Sequence, residues 1–436
     1  MRIFLTALST LILIPLSALA IDIQEVKSKG GFTAWLVEEH SIPFVSIDIS
    51  FKGGASLDLP GKRGATNLMV GLLEEGTGDM DARDFAAAAE GLAASFGFDA
   101  YNDSVSISAK MLTENRDQAV ALLRRALIEP RFDQVSIDRV KSQVQSIILS
   151  DSKNPEDIAS RAFSAAAFGD HPYGSGLNGT EESVEGLNRD DLIAAHHNAM
   201  AQDRIFIGAS GDITPDELAA LLDDLLGDLP AVGAPMPKQA EYQLTNGVTV
   251  IPYETPQSVA VFGHQGIERH DDDFFAAFIL NHVFGGAGFE SRLMSEVREK
   301  RGLTYGIGSS LYSLDHGQLF IGQVASSNDR MAEVITVVTD EWTRMAESGL
   351  TAEELSAAKT FLTGAYPLRF DGNSRIAGIL TGMQSTGLDI AYPDTRNDKV
   401  NAVTLADIAR IAKRLMRPED LRYVVVGQPD DVENTD

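Results

Sequence analysis

Without cysteine, metal and proton chemistry in this chain falls to histidines and carboxylates. The histidines are eight: His40, His171, His196, His197, His264, His270, His282 and His316. A helical zinc pair needs two imidazoles on one face, three or four residues apart, with a carboxylate to activate water. No two of the eight have that spacing. His196 and His197 are adjacent, so on a helix they point to different faces and read as polar helix surface. His270 precedes Asp271, Asp272 and Asp273. Acids at a helix start complement its dipole, so a solvated helix N-terminus is expected there, not a metal cluster. Gly-x-Ser-x-Gly and phosphate-loop motifs are absent. Residue types and spacing offer no catalytic centre of their own.

One glycine-rich run, Phe284-Gly285-Gly286-Ala287-Gly288-Phe289, sits beside the basic residues Arg292, Arg298, Lys300 and Arg301. It follows an apolar helical pattern instead of a strand, the wrong context for a dinucleotide fingerprint. Two readings stand: a flexible loop that meets a peptide backbone, or a helix C-cap and turn.

The elements that must position these residues are framed by composition. The chain has 436 residues, 63 acidic and 36 basic, for a formal charge of −27. No basic stripe is available to neutralise phosphates, which excludes nucleic acid as a partner. The lack of cysteine excludes a disulfide scaffold, a thiolate metal site and a cysteine nucleophile. Hydrophobic content of 44% with 23% charged residues is that of a globular chain. Residues 1–20 read as a signal peptide: Met1-Arg2, an apolar run from Ile3 to Leu16, and the small-x-small cleavage site Ala18-Leu19-Ala20. Cleavage near Ala20 leaves 436 − 20 = 416 residues and a periplasmic or secreted protein. No later run approaches a membrane span, so none is expected after cleavage.

At that length two domains are expected. The three prolines and glycine of residues 230–238 mark the linker. On each side the same α+β unit is legible, a mostly antiparallel sheet with helices packed on one face: residues 21–229, then 239–430, with a short tail at 431–436. Strand pairs are expected at Phe32 to Leu36 and Val45 to Phe51, and again at Val248 to Pro252 and Val259 to Gly263. Apolar helices follow at Thr66 to Leu73 and Phe274 to Val283. Long amphipathic helices start at Ser136 and Thr351 with a capping hydroxyl. Closing strands begin at Arg204 and Arg422, 422 − 204 = 218 residues apart, and end by Asp212 and Asp430, 430 − 212 = 218 apart.

The segment from Ser291 through Glu296-Val297-Arg298-Glu299 to Leu303-Thr304-Tyr305, preceded by the glycine run, resembles the C-terminal-domain signature of the insulinase/pitrilysin family of zinc peptidases. Gly64-Ala65-Thr66-Asn67-Leu68-Met69-Val70-Gly71, continuing to Gly76-Thr77, is similar in spacing to that family's Gly-x-x-His-x-x-Glu-His-x-x-x-x-Gly-Thr helix. The resemblance runs over essentially the whole mature chain and implies two of the four αβ domains that build the family's chamber.

It also exposes a departure. The two histidine positions are Asn67 and Gly71, and the general-base position is Val70. The family's third ligand, a glutamate some 75 residues on, has no counterpart: Val140 to Ser150 contains no acid. Asparagine is a feeble zinc ligand and valine and glycine offer no donor, so this chain is expected to hold no metal and no cofactor. Glu74 and Glu75 lack a histidine within helical reach and do not replace the set. The resemblance implies that Arg298 and Tyr305 contact substrate and steady a tetrahedral intermediate, a guanidinium gripping a carbonyl and a phenol donating to an oxyanion. Read without the motif, Arg298 pairs with Glu296 or Glu299 and Tyr305 is a half-buried strand aromatic. The expectation is a non-catalytic, exported subunit that binds extended peptide and completes the site of a zinc-bearing homologous peptidase subunit, with zinc in that partner. The position similar to the family's docking strand is Asp99-Ala100-Tyr101, where peptide would add to a sheet edge. The alternative is a stand-alone peptide-binding or scaffold protein with no role in proteolysis.

Overall fold

Alternation of apolar and polar residues builds each sheet. Along Phe44–Lys52, Val45, Ile47, Ile49 and Phe51 enter the first core, while Ser46, Asp48 and Ser50 face the other way. The computed structural model describes residues 21–435; the expected signal peptide lies outside them. The first sheet has six strands in the spatial order Gln24–Lys27, Thr33–Glu38, Ile205–Gly211, Phe44–Lys52, Ser104–Leu112, Ser95–Ala100. The second has five: Gly247–Pro252, Arg422–Gly427, Gln257–Gln265, Gly317–Ser327, Ile307–Leu314. Setting aside Gln24–Lys27, order and strand direction match throughout. Thr33–Glu38 pairs parallel with Ile205–Gly211, as Gly247–Pro252 does with Arg422–Gly427. Every other pairing is antiparallel. The repeat seen in the sequence is a repeat of the hydrogen-bond ladder. The expected linker, residues 230–238, carries no helix or strand and runs between the sheets.

Local signals place most helices. Thr351 accepts from the amide of Glu354, whose carboxylate accepts from the amide of Thr351, starting Ala352–Ala365 as expected. Its counterpart begins earlier than Ser136, at Gln134, and runs to Asp151. Ser136 lies within its first turn, with its hydroxyl turned to the carbonyl of Glu75. The apolar helices are Ala65–Val70 and Phe274–Asn281.

The helix after each long one crosses to the opposite half. Pro155–Phe168 packs on the second sheet, where Ala159, Phe163 and Ala167 meet Val259, Val261, Val424 and Val426. Asn373–Ser385 packs on the first, with Ile376, Leu380 and Met383 against Trp35. These helices start 373 − 155 = 218 residues apart, the offset of the closing strands. Each sheet therefore carries its own helices on one face and a borrowed helix on the other. The borrowed helix is fastened by polar bonds: Thr381 Oγ1 donates to the carbonyl of Asp48 (3.0 Å) and Gln384 Nε2 to that of Ile207 (2.6 Å). At Gly208 any side chain would collide with the carbonyl of Ala377, so glycine permits the close approach. Among the described residues no helix is long and apolar enough to cross a membrane.

Candidate functional site

The helix bearing the degenerate metal positions is built with care. Asp58, nearly buried, accepts from the amides of Gly64 and Thr66 (both 2.9 Å) and from the Thr66 hydroxyl (2.6 Å). This caps the helix from outside it. Burial raises the Asp58 carboxyl's pKa against these bonds and the Arg63 charge, which favour ionisation. Gly64, at φ 93°, adopts a backbone that other residues resist. The scaffold is thus present, but the donors are not. Asn67 gives its Nδ2 to Asn178 Oδ1 (2.9 Å). Val70 is buried in the core, and a side chain at Gly71 would come within 3.4 Å of Val140 Cγ1 on the long helix. Val140 and Val144 of that helix are buried too. Glu75 is taken by Arg139. An amide already engaged, a core valine, a glycine and further valines cannot hold zinc; the metal of the family's catalytic members does not fit this site. Among the described residues no three His, Cys, Asp or Glu side chains gather as a metal group.

The second half of the site is differently equipped. The glycine run ends the apolar helix, as the C-cap-and-turn reading has it: Ala287 is the cap residue and Gly288–Glu290 a 3-10 turn. His282–Gly286 continues the apolar helix as a π turn, and Gly285 admits Ser309 of the adjacent strand, whose hydroxyl donates to Asn281 Oδ1 (2.7 Å). Arg298 lies on a second π turn, Met294–Glu299. Its neighbours are spoken for: Arg292 forks onto Glu354 (Nε to Oε1, 2.7 Å), and Lys300 and Arg301 reach Glu296 at 2.7 and 2.8 Å. Arg344 adds a third cation to Glu296 at 3.0 Å. Burial opposes ionisation of Glu296, but the bonds from Lys300, Arg301 and Arg344 outweigh it and hold the carboxyl down to about 2. Arg298 alone of the four basic residues has no carboxylate partner among the described residues. Its guanidinium sits 4.7 Å over the exposed ring of Phe289.

Tyr305 is 88% exposed and precedes the strand Ile307–Leu314 rather than lying in it. Its flanks are pinned. Leu303 and Thr304 are buried, Thr304 Oγ1 donates to Ala325 O (2.7 Å), and the amide of Gly302 donates to Arg298 O (2.8 Å). A rigid base thus presents a free phenol, with Arg298 at the start of the same tied segment. The strand Ser95–Ala100, expected to dock peptide, is the last of its sheet and pairs on one side only, with Ser104–Leu112. Tyr101 beyond it is exposed.

Two histidine and acid readings resolve as well. His197 is exposed, but His196 is 6% exposed, with Nε2 2.8 Å from the carbonyl of Leu127. It is a core residue, not helix surface. Asp271 and Asp273 flank a helix start and are held by Arg410 and Arg414. The role of Phe289 as the platform under Arg298 escaped the sequence reading, which named it only as the end of the glycine run; an aromatic nine residues before an arginine carries no periodic signal.

A duplicated αβ scaffold with a metal helix stripped of donors and an exposed Arg–Tyr segment defines a peptidase-like protein that lacks the family's metal ligands at Asn67, Val70 and Gly71. The family model described as Insulinase (Peptidase family M16) matches residues 34–181, and that described as Peptidase M16 inactive domain matches 186–362. The chain belongs to this peptidase M16 family. It is 26% identical to the "Non-peptidase homolog YmxG" of Helicobacter pylori, over 98% of this chain and 99% of that protein. It is 24% identical to the "Uncharacterized zinc protease YmxG" of Bacillus subtilis, covering 93% and 98%. A crystal structure of a peptidase M16 inactive domain from Pseudomonas fluorescens superposes with a TM-score of 0.88 at 26% identity, covering 95% of this chain and 99% of that one.

Proposed function

We propose that this protein is an exported, non-catalytic subunit of a two-chain zinc peptidase. It binds peptide in extended form and supplies Arg298 and Tyr305 to the zinc site of a homologous partner. The observation that carries this reading is the pairing pattern: the basic neighbours Arg292, Lys300 and Arg301 are neutralised, while Arg298, resting on the Phe289 ring, and Tyr305 have no carboxylate partner among the described residues. A free guanidinium can grip a peptide carbonyl and a free phenol can donate to a developing oxyanion. The one-sided strand Ser95–Ala100 offers backbone groups to which a peptide can add sequence-tolerantly. The relative named as a non-peptidase homologue supports the absence of activity in the single chain.

The test mixes the purified protein with a zinc-bearing homologue encoded beside it and follows cleavage of a fluorogenic peptide. Activity is expected only in the mixture, and Tyr305→Phe is expected to lower it about a hundredfold, the scale of one lost oxyanion donor. Arg298→Ala should act in the same direction. Tyr305 is exposed and Arg298 touches only the exposed Phe289 ring, so the melting temperature of each variant should stay close to that of the wild type. Alone, the protein should cleave nothing and carry far less than one zinc per chain. A partner equally active by itself, or variants indistinguishable from wild type, would leave a scaffold or peptide-binding protein with a peptidase fold.

A further inference from the structure

A cavity of about 580 Å³ opens between the helices Phe274–Asn281, Asn373–Ser385 and Tyr392–Ala402. Its charged lining is four arginines, Arg269, Arg369, Arg375 and Arg396, and no carboxylate. That is the reverse of what a chain of 63 acids and 36 bases should produce. Nearby, Arg410 and Arg414 are saturated by Asp271 and Asp273. None of the cavity's four arginines has an ion-pair partner among the described residues.

Two of the guanidiniums, those of Arg396 and Arg269, are held without being neutralised; Arg369 and Arg375 are exposed at the rim. Arg396 is 6% exposed; its Nη1 donates to Leu362 O (2.7 Å) and Asn397 Oδ1 (3.0 Å), and the group lies 4.6 Å over the ring of Tyr366. Arg269 sits 4.2 Å over Phe274 and donates from Nη2 to the Tyr392 hydroxyl (3.0 Å). Burial pushes the Arg396 guanidinium below its usual value, since a buried cation without a counter-ion is costly. An anion arriving in the cavity would remove that cost. The remaining wall is apolar, with Phe278, Ile379, Met383 and Leu388, and the volume is that of a small-ligand site.

We propose that this cavity binds a carboxylate carried on an apolar or aromatic body, the arginines taking the carboxylate in fork geometry and the aromatic wall taking the body. The chemistry is shared by a free aromatic or acyl acid and by the last residue of a peptide with an apolar C-terminus. This inference does not depend on the peptidase-partner reading, because it uses none of the same residues and requires no second chain.

Gly382 supplies the control. A Cβ added there meets nothing within 4 Å, and its position inside a helix favours leucine over glycine. Gly382→Leu should therefore fill the cavity without unfolding the protein. Arg375→Gln, at an exposed position, removes charge without stripping a carbonyl of its donor, as a change at Arg396 would. Calorimetric titration of the mature chain would compare 3-phenylpropanoate, acetyl-Gly-Gly-Phe, the C-terminal amide of that peptide, and inorganic phosphate. At least one of the two acids should bind, with the amide about tenfold weaker or more. Gly382→Leu and Arg375→Gln should each weaken binding by a similar factor with no fall in melting temperature. Binding of the peptide acid alone identifies a peptide C-terminus, binding of phenylpropanoate alone identifies a free acid, and binding of both identifies the shared group; all three support the site. The proposal is overturned by an amide as tight as the acid, by phosphate as tight as either acid, by indifference to both variants, or by no binding of either acid.

Discussion

His264 accepts the indole N–H of Trp342 at 3.1 Å inside the second core and hydrogen-bonds the carbonyl of Gln265 through Nδ1 at 2.8 Å. His196 makes its bond to Leu127 inside the first core. Burial lowers both imidazoles to about 4. The unfolded chain takes up those protons near 6.5, whereas the folded one refuses them until about 4. The stability each contributes is therefore complete above the unfolded value, declines as pH falls below 6.5 and is gone below 4. Between pH 7 and 5 the loss is about 2 kcal/mol per histidine. Urea midpoints measured at the two values should show it. NMR titration curves for these two imidazoles centred near 6.5 would refute the assignment. Neither behaviour was legible in the sequence, where His196 looked like surface: its burial is created by Phe132 and the Leu127 carbonyl, residues brought to it only by tertiary packing.

At the scale of elements, the crossing helix Asn373–Ser385 makes opposite demands on two glycines. Gly208 lies under it, where an added methyl collides with Ala377 and Leu380. Gly208→Ala should cost about 1–3 kcal/mol, as overpacking does. Gly382 faces open space on the same helix, so Gly382→Ala should gain about 0.5–1 kcal/mol through the unfolded chain's lost freedom. Chemical denaturation of the two variants reads both signs, and equal effects would mean that the helix does not press on the sheet as described. Six strands and the Thr351 cap could be read directly, because a period of two and a hydroxyl–carboxylate pair are local signals; Ser104–Leu112 and the hairpin of Ile307–Leu314 with Gly317–Ser327 went unread. The crossing could not. Ala159, Phe163 and Ala167 look like any amphipathic stripe, and nothing in a stripe says which sheet it will cover. Within the candidate site, the missing donors at Asn67, Val70 and Gly71 were equally plain from residue type. The freedom of Arg298 was not, since it depends on Glu296 choosing Lys300, Arg301 and Arg344 over the arginine two residues away.

For the whole molecule, reciprocal exchange turns two similar units into one. Removing residues 239–435 would strip Asn373–Ser385 from the first sheet and uncover Trp35; removing residues 21–229 would strip Pro155–Phe168 from the second and uncover Val259, Val261, Val424 and Val426. A further contact ties the halves: the Tyr173 hydroxyl donates to the Asp103 carboxylate and accepts from the amide of His316 (3.0 Å), while Asp103 also accepts from the amide of Asp315 (3.1 Å). Exposed apolar faces of this kind cannot be left in water without loss of stability. The halves should therefore melt together, in one calorimetric transition whose van't Hoff and calorimetric enthalpies agree, although many chains of this size melt by domains. Each half expressed alone should be aggregation-prone, and co-expression of the two should restore a soluble complex with native-like melting. Two separable transitions, or a first half that folds and stays soluble by itself, would show that the borrowed helices decorate the sheets and do not complete them.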